Sequence, residues 1–228
     1  LATDALVAHY PLTAKDSTTT IANAVNKENT GRVLFASNKN EKVGGDLVAK
    51  VDENHEGFLL NGDDSLYFPH ENHFNRATPF TVSLNAKLPE TLKEAALIHF
   101  NLSSTLYNYK GFDVSIVDSH WIVRLAHTYP YNAITLRSKS PITTEQWQHV
   151  TMSYDGSSKA SGVNFFINGD LIEMSVERDN LYKDIRHPSN DGLGLVTGLK
   201  VGARWRDRGA ANVIVDNLKI WSRAFTSN

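Results

Sequence analysis

The sequence predicts an all-β protein, a two-sheet antiparallel sandwich formed by a single domain over residues 1–228. Three observations point there. About a dozen short runs alternate apolar and polar residues with the period of two expected of half-buried strands. Compact turn signals separate them, among them Asp118-Ser119, Asp155-Gly156 and Asn168-Gly169. No stretch carries the 3.6-residue periodicity of a long amphipathic helix.

In chain order, Leu6 to Leu12 reads as a first strand, with Pro11 marking an edge or an end. Asp16 to Thr30 reads as loop. Leu47 to Val51, Phe58 to Leu60 and Leu66 to Phe68 are short strands. Phe80 to Leu88 alternates cleanly, and Ala96 to Phe100 follows. The organising stretch is Lys110 to Asp170, read as five strands of one meander with a single buried face. A two-residue turn at Asp118-Ser119 sets Val114 opposite Val123, Phe112 opposite Leu125 and Asp113 opposite Arg124. Apolar then meets apolar, and opposite charges meet. Ile134 to Ser138, Trp147 to Tyr154 and Val163 to Ile167 continue the meander, the last closing at Asn168-Gly169. Glu177 to Gly194 reads as irregular, with one helical turn near Leu181-Tyr182. Leu199 to Ala203 and Val213 to Trp221 are the last strands; broken alternation at Asp216-Asn217 predicts a bulge.

A net charge of -2 argues against nucleic acid or a membrane surface as the partner. No apolar run reaches the length of a spanning helix, and no signal peptide is visible. The absence of cysteine excludes disulfides, thiolate metal sites and cysteine catalysis. A start at Leu1, without an initiator Met, is expected of a processed protein or of a module excised from a larger one.

Several motifs carry a family likeness. WQHVTMSYDG (Trp147 to Gly156), FFINGD (Phe165 to Asp170) and VDNLKIWSRAFT (Val215 to Thr226) resemble the laminin-G-like branch of the concanavalin A-like lectin/glucanase superfamily. LVAHYPL, GDDSLYFP, PFTVSL, HTYPYNAI and RDRG are further similar to laminin-G-like modules of large planctomycete-type proteins, where such modules accompany cytochrome-c-like domains. The resemblance implies a jelly-roll sandwich, an exported parent protein (periplasmic, cell-surface or extracellular) and a glycan-binding role. Fold likeness alone does not fix function.

Enzyme signatures are incomplete. Sandwich glucanases need a Glu-x-Asp-x-Glu type run, whose alternation sends every carboxylate into one cleft. Asp52-Glu53 with Glu56, and Glu173 with Glu177, have the wrong spacing. Tyr107, Tyr109 and Lys110 resemble one strand of a polysaccharide lyase, but its companion strands are missing.

Binding candidates are better formed. His127-Thr-Tyr-Pro-Tyr-Asn132 links two strands, so Tyr129 and Tyr131 can stack on sugars while His127 and Asn132 bond hydroxyls. The competing reading is that these residues only shape the loop. Arg204, Trp205, Arg206 and Arg208 place three guanidiniums around an indole, suited to a sulfate or carboxylate. Self-neutralisation by Asp207 with Trp205 in the core is the alternative. Asp113, Arg124, Arg137 and His149 form an outward row that lines one sheet or serves as a solvated ladder. Asp16, Asn23 and Asn26 would meet Asp216 in a calcium site, as in calcium-bearing relatives.

The sequence thus points to a non-catalytic carbohydrate-binding module for a polysaccharide or oligosaccharide, including an anionic one. The rival readings are a structural or protein-interaction domain packed on other domains of its parent, and a lyase or hydrolase.

Overall fold

The computed structural model describes residues 4–13, 15–17, 19–35, 48–50 (backbone), 55–101, 108–186, 198–204 and 209–226. Among these lie sixteen strands: β1 (Leu6–Tyr10), β2 (Arg32–Leu34), β3 (Val48–Lys50), β4 (Glu56–Leu59), β5 (Ser65–Phe68), β6 (Phe80–Lys87), β7 (Ala95–His99), β8 (Gly111–Val117), β9 (His120–Thr128), β10 (Asn132–Pro141), β11 (Trp147–Tyr154), β12 (Val163–Ile167), β13 (Asp170–Leu171), β14 (Met174–Asp179), β15 (Leu199–Gly202) and β16 (Ile214–Trp221). They form two eight-stranded sheets, and every pairing is antiparallel. The first runs β13-β12-β11-β6-β16-β4-β3, with β1 also on β16. The second runs β14-β10-β9-β8-β7-β15-β5-β2.

The expected register of the central hairpin is present: Val114 pairs Val123, Phe112 pairs Leu125, and Asp113 pairs Arg124. Its turn holds Asp118 at φ 50° and Ser119 at φ 60°, both left-handed, as the twist-matched two-residue hairpin requires. The β16 bulge is also where alternation broke, with the register shifting between Asp216 and Lys219.

Three expectations need correction. The five-strand stretch is not one meander: β8–β10 belong to the second sheet and β11–β12 to the first. β14 starts at Met174 and runs into the stretch from Glu177 that reads as irregular, and Leu181-Tyr182 carries no helical turn.

The core lies between the sheets. At one end Phe74 sits 4.9 Å from Phe80, 4.9 Å from Phe112 and 5.1 Å from Phe100, centroid to centroid. All four rings are buried, each contributing on the order of 2 kcal/mol by area. On the outer face of the first sheet, the segment after β16 folds back. Thr81 Oγ1 donates to the Arg223 carbonyl at 2.7 Å, Phe225 N donates to Ser153 Oγ at 2.6 Å, and the Phe225 ring meets Trp221.

Candidate functional site

Pairing carries a straight row across the outer face of the second sheet: Arg32, Tyr67, Lys200, His99, Asp113, Arg124, Thr135 and Arg178. Strand alternation puts these side chains away from the core. Yet Tyr67, Lys200, His99, Asp113, Arg124 and Thr135 are all buried. The middle of the row is therefore not a solvated ladder, and its charges must satisfy one another.

Asp113 is the hub, with no exposed surface. Its Oδ1 accepts from Asn101 Nδ2 at 2.7 Å and its Oδ2 from Ser115 Oγ at 2.6 Å. Arg124 Nε lies 3.3 Å from Oδ1, in charge contact without hydrogen-bond alignment. Arg204 NH1 lies 3.5 Å from Oδ2 and donates to Asn101 Oδ1 at 3.0 Å. Burial alone would raise the Asp113 pKa. The guanidiniums of Arg124 and Arg204, with the Ser115 and Asn101 hydrogen bonds, outweigh it and hold the carboxyl below its usual range.

Aromatic rings cover the guanidiniums. The Arg124 guanidinium carbon stands 3.8 Å from the Tyr109 centroid and 4.7 Å from that of Tyr129; Arg204 is 4.8 Å from Tyr109. Tyr109 and Tyr129 meet edge to face at 5.5 Å. Tyr109, Arg124, Arg204, Ser115, Val117 and Glu94 are among the residues that line a depression of about 180 Å³. Arg204 thus meets Asp113 on a distant strand, while Asp207, its expected neutralising neighbour, lies outside the described residues.

Next along the row, His99 has no exposed surface. Burial, joined by the charges of Arg204 and Lys200, brings its pKa down to about 3. The neutral ring directs Nε2 to the Gly202 and Ala203 carbonyls, both at 3.2 Å. Burial also brings Lys200 down to about 8.

Arg124, Arg204 and Tyr129 therefore come together, through Tyr109, which sequence reasoning had associated only with an incomplete lyase pattern. The available signal was an aromatic two residues before the strand holding Asp113. The rest of the expected set disperses. Asn132 is buried, and its Oδ1 accepts from the backbone N–H of Tyr182 at 2.9 Å and Lys183 at 3.3 Å, so it ties two loops together. His127 contacts the Asp184 carbonyl through Nδ1 at 2.7 Å. Arg137 lies in the row with Ser115 and Ile122, and its Nε donates to Glu177 at 2.8 Å. Trp205, Arg206 and Arg208 lie outside the described residues.

His149 belongs to the opposite face, because β11 is in the other sheet. There it lines a wider hollow of about 320 Å³ with Asn85, Asn217 and Lys219, a lining without aromatic rings. Burial and the Lys219 charge lower the His149 pKa.

The expected calcium ligands are engaged by backbone donors. Asp16 accepts from the backbone N–H groups of Thr13 and Ala22, both at 2.8 Å. Asn23 Oδ1 accepts from those of His9, Val25 and Asn26, and Asn26 Oδ1 from that of Glu28. These oxygens therefore already serve as hydrogen-bond acceptors that shape the loop. Asp216, on the outer face of β16, has its pKa raised by burial and is hydrogen-bonded by Asn85 and Asn217. Among the described residues no group of three or more His, Asp or Glu side chains gathers that could hold a metal.

Solved structures share the architecture. Domain 4 of AbnA, an extracellular arabinanase from Geobacillus stearothermophilus solved with arabinotriose, aligns over 97% of this chain and 94% of its own, with 20% identity and a TM-score of 0.57. The binding domain of Paraclostridial Mosquitocidal Protein 1 aligns over 98% of this chain and 50% of its own, at 15% identity and a TM-score of 0.63. Trypanosoma rangeli sialidase, solved with sialic acid, aligns over 99% of this chain and 32% of its own, at 12% identity and a TM-score of 0.61. At these identities the likeness is one of fold. No curated protein sequence matches the chain. A laminin G family model matches residues 60–228, and the chain belongs to the concanavalin A-like lectin/glucanase superfamily.

Proposed function

We propose that the chain is a non-catalytic carbohydrate-binding module whose ligand occupies the depression beside Tyr109, Arg124 and Arg204. One observation carries this reading: Tyr109, Arg124 and Arg204 line one open hollow, with Tyr129 packed behind them on Tyr109 and Arg124 and both guanidiniums anchored on a single buried carboxylate. Aromatic walls with fixed polar donors are the usual chemistry of sugar recognition. The arrangement is preorganised, so little ordering cost falls on binding. The wider hollow on the opposite face lacks the aromatic wall.

The strand geometry supports binding without turnover. On β8 the outward positions are Gly111, Asp113, Ser115 and Val117, the last apolar. Glycoside hydrolysis needs two accessible carboxyl groups about 5–9.5 Å apart across the bond. Asp113 is sealed, Ser115 spends its hydroxyl on Asp113, and Gly111 has no side chain. Glu94 also lines the depression, but Asp113 has no exposed surface with which to complement it.

An acidic sugar is the finer reading. Arg124 and Arg204 present two guanidiniums at the depression, where Glu94 is the one carboxylate among the described lining residues and Asp113 beneath is also hydrogen-bonded by Ser115 and Asn101. The test is a glycan array followed by calorimetry with oligogalacturonides and with neutral arabino-oligosaccharides. We expect binding, with acidic ligands about tenfold tighter at low salt and the margin shrinking as salt rises. Equal affinity for both classes removes the anionic preference. A blank array removes the carbohydrate reading and favours packing against a neighbouring domain.

A further inference from the structure

Tyr131 and Tyr182 stand out from the described surface. Tyr131 is 78% exposed and Tyr182 60%, while every other described Phe, Tyr or Trp is buried or half-buried. Exposed aromatic rings on pinned backbone are the feature that invites a partner.

Both backbones are pinned. Tyr131 sits in the β9–β10 turn, where its carbonyl accepts from Asn180 Nδ2 at 2.9 Å. Tyr182 lies between Leu181 and Ile185, both sunk in the core. Its own N–H donates to Asn132 Oδ1. Asp184, two residues on, is held by His127 and by the Arg76 N–H at 3.0 Å. The segment therefore has its aliphatic anchors inside and its one aromatic ring outside.

Continuity with the cleft decides the occupant. Tyr131 is two residues from Tyr129, so their Cα atoms lie less than about 8 Å apart. Tyr129 packs on Arg124 and Tyr109. We propose that Tyr131 and Tyr182 are stacking subsites that extend the Tyr109–Tyr129 cleft, so that the ligand is a chain of several sugar units and not a single terminal residue. The proposal rests on the carbohydrate reading of the cleft. Apolar faces of successive sugar rings pack on the tyrosines, while the neighbouring Lys183 and Asn180 offer polar contacts to hydroxyls.

The test measures affinity against ligand length by calorimetry, using oligogalacturonides and arabino-oligosaccharides of roughly two to six units. For the wild type, Kd falls about tenfold or more from the shortest to the longest ligand of the class that binds. In the Tyr131→Ala/Tyr182→Ala variant the dimer affinity is unchanged and the dependence on length is lost, with the thermal midpoint preserved because both rings are exposed. Phenylalanine at both positions keeps the length dependence, since the ring supplies the stacking. Tyr129→Ala weakens ligands of every length. A wild type with length-independent affinity, or an alanine variant that keeps full length dependence, overturns the extended track and leaves the cleft reading intact. No binding by the wild type to either ladder sinks both. Vesicle or protein binding lost in the alanine variant, with sugar affinity unchanged at all lengths, assigns the pair to another partner and overturns the proposal.

Discussion

The Arg124 guanidinium lies over the face of Tyr109, 3.8 Å from the ring centre, while its Nε stands 3.3 Å from Asp113 Oδ1. One side chain thus joins the buried acid beneath the second sheet's outer face to the aromatic wall of the depression. Replacing Tyr109 with Ala strips that wall and exposes the guanidinium to water. Calorimetry should show glycan affinity down about tenfold, the value of one good aromatic contact, whereas Tyr109→Phe should bind nearly as the wild type.

Asp113 holds two buried cations, so its loss costs more than its own contacts. Asp113→Ala should destabilise the fold by about 3–5 kcal/mol, because Arg124 and Arg204 are left with uncompensated charge. Adding Arg124→Met should cost less than the sum of the two single changes. Urea unfolding of the four-member cycle measures this coupling, and strict additivity would contradict the network.

Stability should fall in acid, and His99 is one cause. Its folded pKa, about 3, lies below the value of about 6.5 expected when unfolded. Between those limits the unfolded chain takes up a proton that the folded chain refuses. Stability is therefore highest above pH 6.5 and drops as pH falls toward 3, by at most about 5 kcal/mol. The lowered Asp113 pKa acts the same way, its contribution being lost as pH falls through the folded value. Thermal melts from pH 7.5 to about pH 4 should slope downward, and His99→Gln should flatten them. An unchanged slope in that variant would place the acid sensitivity elsewhere.

Gly111 should tolerate no side chain. It sits at φ 128°, and a Cβ there would lie 1.8 Å from the Phe100 carbonyl oxygen. Gly111→Ala should cost several kcal/mol through backbone strain and displacement of β7. A glutamate, the residue a glucanase strand would need, should not fold. A soluble Gly111→Glu protein with a wild-type melt would disprove the close approach.

Chelation should leave the module unchanged. Asp16, Asn23 and Asn26 direct their oxygens at backbone N–H groups, so thermal midpoints with calcium and with EDTA should agree within about one degree. A calcium-dependent rise of several degrees would show a cation held elsewhere in the chain.

Much of the fold was legible because strand alternation is local. Phe112, Val114 and Ile116 against Trp121, Val123 and Leu125 specify a hairpin and its register together. β14 was not legible, since Ser175 to Asp179 are all exposed and the edge strand's apolar alternation stops after Met174 and Val176. His149 was placed on the wrong face for a related reason. Alternation says which residues share a side of a strand, but not which sheet the strand joins.

Sequence by itself determined the two-layer β architecture, the central register with its Asp113–Arg124 pair, and the bulge at Asp216, because each follows from residues close along the chain or from period-two patterning. Only the tertiary structure decided that Arg204 reaches Asp113 from 91 positions away, that Tyr109 and Tyr129 close over Arg124, and that Asn132 ties loops. Those contacts depend on which strands become neighbours and on which loops fold across them. That is settled by burial of the whole core, and no short stretch of sequence encodes it.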